Sequence, residues 1–462
     1  MKKVLLFSLI LMCVNCKTSS SLTETTQDSY SDEIYGSDAV TYAEDTDQSD
    51  NSNLDDMFLV YYGNKDRKKW GKSELERIVV HKFADGHHEW YFPSFLYLEF
   101  KDDEGYRFGD NQPGDNGATN KKHWEWLLNR FFSTAYNKGD FEGLKALDEC
   151  IEDWKRKLGR PGFKHKVVLS VPSPCTDFTE WGSIKKNGRN VKLDFRNREH
   201  RLEAVKWFID ELISRFNAQH YKNITLEGLY WIEETTSVTS WHKDKSTGSW
   251  TNMTGKKYDY IYESGIRKQN DIIADVSRYV HSKGTKFIWI PFNSAWGKDR
   301  WRAMGFDRCD VQTGYFWGTP DIIRKDRALK TMSDARKICN NSMRDGMGLE
   351  FELSTDLFVP CYGKPKKKND VERPFEIMRV KDCTKRPNEM KSLGYKQYDY
   401  NPCLMARFKN LLDVFEEEGV YKRANVSYYI GYSIMNKLAT STDREVIALN
   451  DRMARLICSR HN

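Results

Sequence analysis

The sequence GLEFEL at residues 348–353 alternates apolar and acidic side chains, which is the pattern of a β-strand with one buried face. Successive side chains of a strand point to opposite faces, so Leu349 and Phe351 share one face with Leu353. Glu350 and Glu352 share the other face. Because a buried carboxylate is costly unless it is paired or used, we expect the apolar face to pack against helices and the two acids to point into a barrel.

Seven further short runs of β-branched and aromatic residues occur along the chain, and longer amphipathic stretches separate them. We predict strands at residues 58–62, 95–100, 167–171, 226–232, 287–291, 309–315, 348–353 and 426–431. We predict helices at residues 121–132, 144–157, 199–216, 265–282, 330–344, 405–417 and 443–459. Strands that alternate with helices indicate parallel strands joined by crossover helices.

Eight such units, with no β-rich segment after the eighth, predict an α/β fold of the (β/α)8 TIM-type barrel class. The alternative, a doubly wound open sheet, usually carries a Gly-rich phosphate turn after its first strand. Residues 63–66 read GNKD, which is not such a turn. Long loops follow strands two, four and seven, at residues 101–120, 235–258 and 354–402. All three lie on the C-terminal face, where barrels keep their sites.

The first sixteen residues have the features of a bacterial lipoprotein signal peptide. Lys2 and Lys3 precede an apolar run at residues 4–12 that is too short to span a bilayer, and Cys16 follows as the predicted lipidation site. Residues 17–56 carry eleven acidic residues against one basic residue, which predicts a disordered tether ahead of the barrel domain at residues 57–462. We therefore expect a cell-envelope protein, lipid-anchored to a bacterial membrane and facing outside the cytoplasm. The alternative is an ordinary cleaved signal peptide that releases a soluble protein.

The folded part is basic, because residues 57–462 contain 70 basic and 56 acidic residues, a formal net charge of +14. Such a charge is compatible with an anionic partner, but the charges are scattered over helix faces, and surfaces rich in lysine and arginine mostly serve solubility. A local run at residues 364–368 contains four lysines in the predicted strand-seven loop. The expected partner is an oligo- or polysaccharide, and an anionic polysaccharide is one candidate within that class. We expect no nucleic-acid partner and membrane contact only through the lipid anchor.

Two pairs of acids fall near the C-terminal ends of predicted strands. Strand four runs into Glu233 and Glu234, and strand seven carries Glu350 and Glu352. Acids on strands four and seven lie across a barrel mouth, where two carboxylates can flank a glycosidic bond as proton donor and as nucleophile or base. The alternative is that the strand-seven acids form ion pairs with inward lysines or arginines and only fill the barrel.

Aromatic residues support a sugar-binding interpretation, since the chain has 14 Trp and 24 Tyr and pyranose rings stack on aromatic faces. The candidate substrate-binding residues at strand ends are Trp231, Trp289, Gln312, Tyr315 and Tyr429. Packing in the core is the alternative for any single aromatic residue among them.

Cysteine and histidine spacing predicts neither a metal site nor a cofactor. Eight cysteines follow Cys16 without any CxxC pair, which argues against a zinc or iron–sulfur centre. His81 lies near the pair His87 and His88, but these histidines have no further ligand at the required spacing. In an exported protein we expect disulfides, above all among Cys361, Cys383 and Cys403, whose pairing the sequence does not determine.

Several segments resemble the domain of unknown function 4855 family of bacterial exported proteins. They are GLYWIEE at 228–234, FIWIPF at 287–292, GFDRCDVQTGYF at 305–316, GMGLEFE at 346–352 and ANVSYYIG at 424–431, with LVYYG at 59–63 and VVLSVPSP at 167–174. The resemblance implies a barrel-shaped, glycosidase-like protein without an assigned reaction. It also implies Glu233 or Glu234, and Glu350 with Glu352, as the family's acids. One departure lies at Thr313 and Gly314, where the family has Pro and Asn.

These observations predict a glycan-active exported lipoprotein that acts as a glycoside hydrolase. Glu352 would be the nucleophile or base, and Glu233 or Glu234 the general acid. The alternative is a surface lipoprotein that binds glycans without cleaving them. Open carboxylates would favour hydrolysis, whereas acids each locked to a basic residue would favour binding.

Overall fold

The eight predicted strands form a closed parallel barrel, which confirms the predicted fold class. The computed structural model describes residues 55–109, 115–132, 142–175, 178–236, 241–243, 250–252, 272–295, 297–316, 329–367 and 370–461. The barrel strands are β1 Asp56–Tyr61, β2 Ser94–Leu98, β3 His165–Val171, β4 Ile224–Trp231, β5 Lys286–Trp289, β6 Arg308–Gln312, β7 Gly348–Glu352 and β8 Val426–Tyr429. Each strand pairs with its neighbours in chain order, and β8 pairs with β1 to close the ring.

Helices on the outside of the barrel follow most of the strands. They are α1 Lys72–Val79, α2 Lys121–Phe131, α3 Gly143–Leu158, α4 Arg198–Ala218, α5 Ile273–Ser282, α6 Met332–Arg344, α7 Pro387–Ser392, α8 Pro402–Glu417, α9 Val420–Arg423, α10 Tyr432–Thr440 and α11 Arg444–Cys458. The seven predicted helices correspond to α2 to α6, α8 and α11, with residues 265–271 of the fifth lying outside the described residues. Polar caps fix several starts, for example Asn401, whose side chain accepts two backbone N–H groups at the start of α8.

The alternation in β7 has the predicted orientation. The Phe351 ring packs edge-on against the rings of Phe408 and Phe415 from α8, so it faces the helices. Glu350 pairs in register with Gln312 on β6 and with Ser427 on β8. Residues paired in a parallel sheet point to the same face, so these three side chains share the barrel interior.

The lower part of the barrel interior is polar and held by an ion pair. The Arg308 guanidinium contacts the buried carboxylate of Asp310 at 2.7 Å, and the Ser427 hydroxyl donates to the same carboxylate. Below them, Arg308 also approaches Asp55 at 3.8 Å. Asp310 and Asp55 are therefore charge-compensated structural acids on the opposite side of the barrel from its mouth.

Insertions on the C-terminal face carry small antiparallel sheets of their own. The segment after β3 forms a hairpin from Gly182–Lys186 and Arg189–Leu193. The segment after β4 contains a short hairpin from Trp241–Lys243 and Trp250–Asn252. The segment after β7, which we predicted only as a loop, contains three strands, Cys361–Pro365, Phe375–Arg379 and Lys396–Tyr398.

The expected disulfides are not formed among the described residues. None of Cys361, Cys383 and Cys403 is in a disulfide, and neither are the other five cysteines that the structure describes. Cys361 and Cys403 are buried and place their sulfur atoms near backbone carbonyls of Val359 and Phe375. In the described part of the chain, no helix has both the length and the apolar character needed to cross a membrane. The predicted lipidation site, Cys16, lies outside the described residues.

Candidate active site

A cluster of tyrosines and carboxylates lies at the C-terminal ends of the barrel strands. Glu352 pairs in register with Tyr429 on β8, and the Tyr429 ring packs edge-on against Tyr61 at 5.4 Å between ring centroids. Burial raises the pKa of Tyr61 well above its ordinary value, and Tyr429, Glu234 and Glu350 raise it further. Tyr61, Glu234 and the β7 acids are therefore close neighbours at the barrel mouth.

Glu234, just after β4, carries a carboxyl group suited to holding a proton. Gln312 donates a hydrogen bond from Nε2 to its Oε1 at 2.8 Å. Burial is the largest cause that raises the pKa of Glu234, to about 7, and the charges of Glu233 and Glu352 raise it further. A carboxyl group with a pKa near 7 can donate a proton at neutral pH and take it back.

Glu352, the last residue of β7, is 1% exposed and receives hydrogen bonds from the segment after β6. The Thr313 hydroxyl donates to Oε2 at 2.9 Å, and the Gly314 backbone N–H donates to the same oxygen. Two donors directed at one carboxylate oxygen favour its charged form. Residues 312–314 thus bond two acids of the mouth, with Gln312 on Glu234 and the next two residues on Glu352.

The departure from the family's Pro and Asn lies at these two donors. Gly314 has a φ of +59°, a left-handed conformation that glycine adopts without strain. A Cβ atom there would also lie 2.6 Å from Nζ of Lys330, which donates to the Thr313 carbonyl at 3.0 Å. Thr313 supplies a hydroxyl donor that proline lacks. Both residues at this departure are therefore donors to the β7 acid.

Glu350 lies deeper in the barrel and is 3% exposed. Burial raises the pKa of Glu350 well above its ordinary value, and the charges of Glu352, Glu234 and Asp310 act in the same direction. Charging Glu350 would place a further anion beside Glu352 and Glu234, which favours the protonated form of Glu350. Glu350 is therefore an acid whose charged form the site disfavours.

Glu233 points toward the segment after β2. A Cβ atom built on Gly109 would lie 1.6 Å from Oε1 of Glu233, so this carboxylate rests against the Gly109 backbone. The backbone carbonyl of Glu233 accepts a hydrogen bond from the Trp289 indole at 2.6 Å. The neighbouring acids Glu233 and Glu234 are thus held separately, and Glu234 is the one bonded to β6.

Two of the predicted substrate-binding residues do not face the barrel interior. Ile288 pairs with Tyr230, whose pKa the mouth acids Glu234 and Glu350 raise, so Tyr230 and Ile288 point inward. Trp231 and Trp289 are one residue further along β4 and β5 and therefore point outward. Trp289 stacks on Phe306 at 5.1 Å in the crossover to β6. The strand period corrects the prediction: Tyr230 lines the mouth in place of Trp231.

Tyr315 also has partners outside the mouth. Its hydroxyl donates to Glu372 at 2.6 Å, and the Arg407 guanidinium lies over its ring at 3.7 Å. Arg407 also bonds Glu372 at 2.7 Å. This buried group joins the segment after β6 to α8 and the β7 insertion, which favours a packing role for Tyr315. Of the predicted substrate-binding set, Gln312 and Tyr429 lie at the mouth.

Sequence reasoning missed two arginines near the mouth. Arg67, after β1, forms a bidentate pair with Glu99, at 3.0 and 3.1 Å, and lies over the Tyr61 ring at 4.8 Å. Arg107, after β2, lies over the Phe100 ring at 5.1 Å. Both come from loops, so no strand periodicity in the sequence could have indicated them.

The histidines that we considered as metal ligands have other partners. His81 bonds Asp451 at 2.8 Å, His87 bonds Asp85 and Glu89, and His88 packs against Trp154. Within the described ranges, no group of three or more His, Cys, Asp or Glu side chains is arranged to hold a metal ion.

Comparison with known proteins places the chain in a family. The model of the family described as "Domain of unknown function (DUF4855)" matches residues 56–262 and 254–374. A search of curated proteins found no match.

Solved structures of low sequence identity also match the chain. A chitinase from Chromobacterium violaceum is 12% identical, with 86% of this chain and 98% of that chain covered and a TM-score of 0.33. The group IV chitinase of Ostrinia furnacalis is 8% identical, with 87% and 100% covered and a TM-score of 0.36. The Bacillus cereus spore cortex-lytic enzyme SleL is 9% identical, with 86% and 74% covered and a TM-score of 0.33.

Proposed function

The chain belongs to the domain of unknown function 4855 family, and from that premise we propose that it is a glycoside hydrolase. The observation that carries the proposal is the pair of acids, Glu234 and Glu352, bonded by the consecutive residues 312–314 at the barrel mouth. Hydrolysis of a glycosidic bond needs one carboxylic acid to protonate the leaving oxygen and one carboxylate to act as nucleophile or base.

Glu234 is the general acid in this mechanism. Its pKa of about 7 leaves it protonated for a large part of the time at neutral pH. The Gln312 amide donates to one carboxyl oxygen, Oε1, which leaves the other oxygen to carry the proton to the glycosidic oxygen. After the leaving group departs, the same group can take a proton back from water.

Glu352 is the nucleophile or base. The Thr313 hydroxyl and the Gly314 N–H both bond Oε2, and we assign Oε1 to the anomeric carbon or to a water. Donors on one oxygen fix the carboxylate orientation before the substrate arrives, which lowers the reorganisation that the reaction requires. The site disfavours the charged form of Glu350, and we assign the negative charge to Glu352.

The bond that Glu234 makes favours hydrolysis over binding alone. Its carboxyl group receives a hydrogen bond from a neutral amide, that of Gln312. Other acids of the barrel are paired with arginines, Glu99 with Arg67 and Asp310 with Arg308. Glu234 thus differs from these structural acids in the way expected of a reacting group.

The tyrosines of the mouth are the proposed sugar-stacking surface. Tyr61 and Tyr429 are half-buried and pack edge-on, and Tyr230 lies beside them, 2% exposed. Half-buried phenol rings offer apolar faces to the C–H groups of a pyranose and a hydroxyl to its oxygens. We therefore propose Tyr429 and Tyr61 as the stacking residues, with the buried Tyr230 packed beside them.

We also propose that the protein acts at the cell envelope, anchored through a lipid on Cys16. The support is the sequence alone: the lysines at positions 2 and 3, the apolar run that follows them and the acidic segment before the barrel.

The test of hydrolysis is the release of reducing ends from a panel of bacterial, plant and host glycans by the purified protein. The test variant is Glu234→Gln. The matched control is Glu376→Gln, which removes a charge on the exposed face of the β7 insertion, away from the mouth. Release by the parent protein and by Glu376→Gln, but not by Glu234→Gln, supports the proposal. Binding of a glycan without release by any form would instead support a non-catalytic glycan-binding protein.

A further inference from the structure

Arg107 is a cation at the mouth that the proposed hydrolysis does not use. Its guanidinium lies over the Phe100 ring at 5.1 Å, and that ring lies 6.1 Å from the Tyr61 ring. Arg107 is also close enough to Glu234 to lower the pKa of that carboxyl group, against the larger effect of burial. The residue therefore borders both the aromatic surface and the proposed acid.

The two arginines of the mouth differ in how their charge is compensated. Arg67 is paired on two nitrogens with Glu99, which is 1% exposed. Arg107 forms no ion pair with any carboxylate in the described part of the chain, and its buried Nε atom has no hydrogen-bond partner there. Because no described carboxylate pairs with the Arg107 guanidinium, an anionic ligand would gain an interaction that the described part of the protein does not already make.

The backbone holds Arg107 in place. Its N–H donates to the Gly117 carbonyl at 3.1 Å, and the next residue, Phe108, donates to Phe100 and accepts from Ser173. Two residues further, Gly109 lies against the Glu233 carboxylate. The segment is tied to the ends of β2, β3 and β4, so little backbone freedom is lost when a ligand binds.

We propose that Arg107 is the specificity-determining residue of the site and binds an anionic substituent, a carboxylate or a sulfate, on the sugar next to the cleaved bond. This inference rests on the proposed function and names its substrate class as acidic glycans. A guanidinium presents parallel N–H donors that match the oxygens of a carboxylate or sulfate. The net charge of +14 on residues 57–462 would also attract such a polymer.

The experiment measures the apparent Kd of the full chain by affinity electrophoresis in gels containing hyaluronan, polygalacturonate or dextran sulfate. The neutral counterparts, carboxyl-reduced hyaluronan, carboxyl-reduced polygalacturonate and dextran, run in parallel gels. The variants are Arg107→Ala, Arg107→Lys and, as a matched loss of one exposed arginine, Arg156→Ala on α3. Thermal unfolding of each variant checks that it is folded.

We expect at least one anionic polymer to bind more tightly than its neutral counterpart, and the carboxylate and sulfate gels distinguish the two chemistries. Arg107→Ala should weaken that binding at least about tenfold, because hydrogen bonds to a charged group are strong. The affinity of Arg107→Lys should lie between that of the parent and that of Arg107→Ala, since lysine keeps the charge without the planar guanidinium. Arg156→Ala should bind like the parent.

Equal weakening by Arg107→Ala and Arg156→Ala would overturn the inference, because it would show only attraction to a basic surface. Equal binding of each polymer and its neutral counterpart would overturn it too. Cleavage of neutral glycans alone in the reducing-end assay would leave the proposed hydrolysis standing and remove only the role of Arg107. If the protein neither binds nor cleaves any glycan, the proposed hydrolysis and the role of Arg107 are both ruled out.

Discussion

Replacing Glu352 with glutamine separates a catalytic carboxylate from a structural one. Glutamine has the same shape, and its side-chain oxygen can still accept from the Thr313 hydroxyl and the Gly314 N–H. We expect a loss of stability of at most about 1 kcal/mol, the typical net value of a hydrogen bond. The charge at the anomeric centre is lost, however, and an oxocarbenium-like transition state needs that charge.

The expected kinetic effect is a fall in kcat of at least about a hundredfold, the range measured when one electrostatic stabiliser is removed. The assay is reducing-end release on the best glycan of the panel, with thermal unfolding measured on the same samples. Glu376→Gln is the control, since its side chain lies on the exposed β7 insertion. It should match the parent in both measurements.

Two results would refute this reasoning. If Glu352→Gln cleaves at the parent rate, Glu352 is neither nucleophile nor base. If the variant loses roughly 3 to 5 kcal/mol of stability, as happens when a buried ion pair is broken, and shows no specific kinetic defect, Glu352 belongs to the scaffold.

Three further predictions concern protonation and anchoring. Burial holds the pKa of Glu350 above its unfolded value, so the contribution of this group to stability is complete below about pH 4.5 and is lost as pH rises. The stability of Glu350→Gln relative to the parent should therefore increase between pH 5 and pH 8. A difference in thermal stability between the two proteins that does not vary with pH would contradict this. His165 is buried with its pKa lowered to about 3, so the protein should lose about 2 kcal/mol between pH 6.5 and pH 5 as the unfolded state takes up a proton. Chemical denaturation should show that His165→Phe removes this loss; an equally acid-sensitive variant would show another cause. Labelling with a palmitate analogue should tag the parent but not Cys16→Ala, and a labelled alanine variant would rule out Cys16 as the anchor.

The barrel was predictable because each strand carries its own local pattern of β-branched and aromatic residues. The elements that sequence reasoning missed have weaker patterns. Helix α1 has only eight residues, of which Leu75, Ile78 and Val79 are buried. The three strands of the β7 insertion read CYGKP, FEIMR and KQY, so glycine, proline and charged residues interrupt any run of alternating hydrophobicity.

The mouth was predictable only where one strand determines the orientation. Glu350 and Glu352 follow directly from the alternation in β7. In β4, however, Tyr230 and Trp231 are adjacent aromatic residues, and the pairing of β4 with β5 decides that Tyr230 faces inward. Arg107 reaches the mouth from a loop, and loop conformation depends on contacts between distant segments, such as the bond from Ser173 to Phe108.

The central claim is that Glu234 and Glu352 cleave a glycosidic bond, and the pH dependence of reducing-end release tests it most directly. Since Glu234 must be protonated to donate, the rate should fall as pH rises above about 7. Glu234→Gln should lose about a hundredfold or more of the rate and, with it, the alkaline fall. A Glu234→Gln protein that releases reducing ends at the parent rate with the same pH profile would contradict the claim, as would a parent protein that cleaves no glycan at any pH.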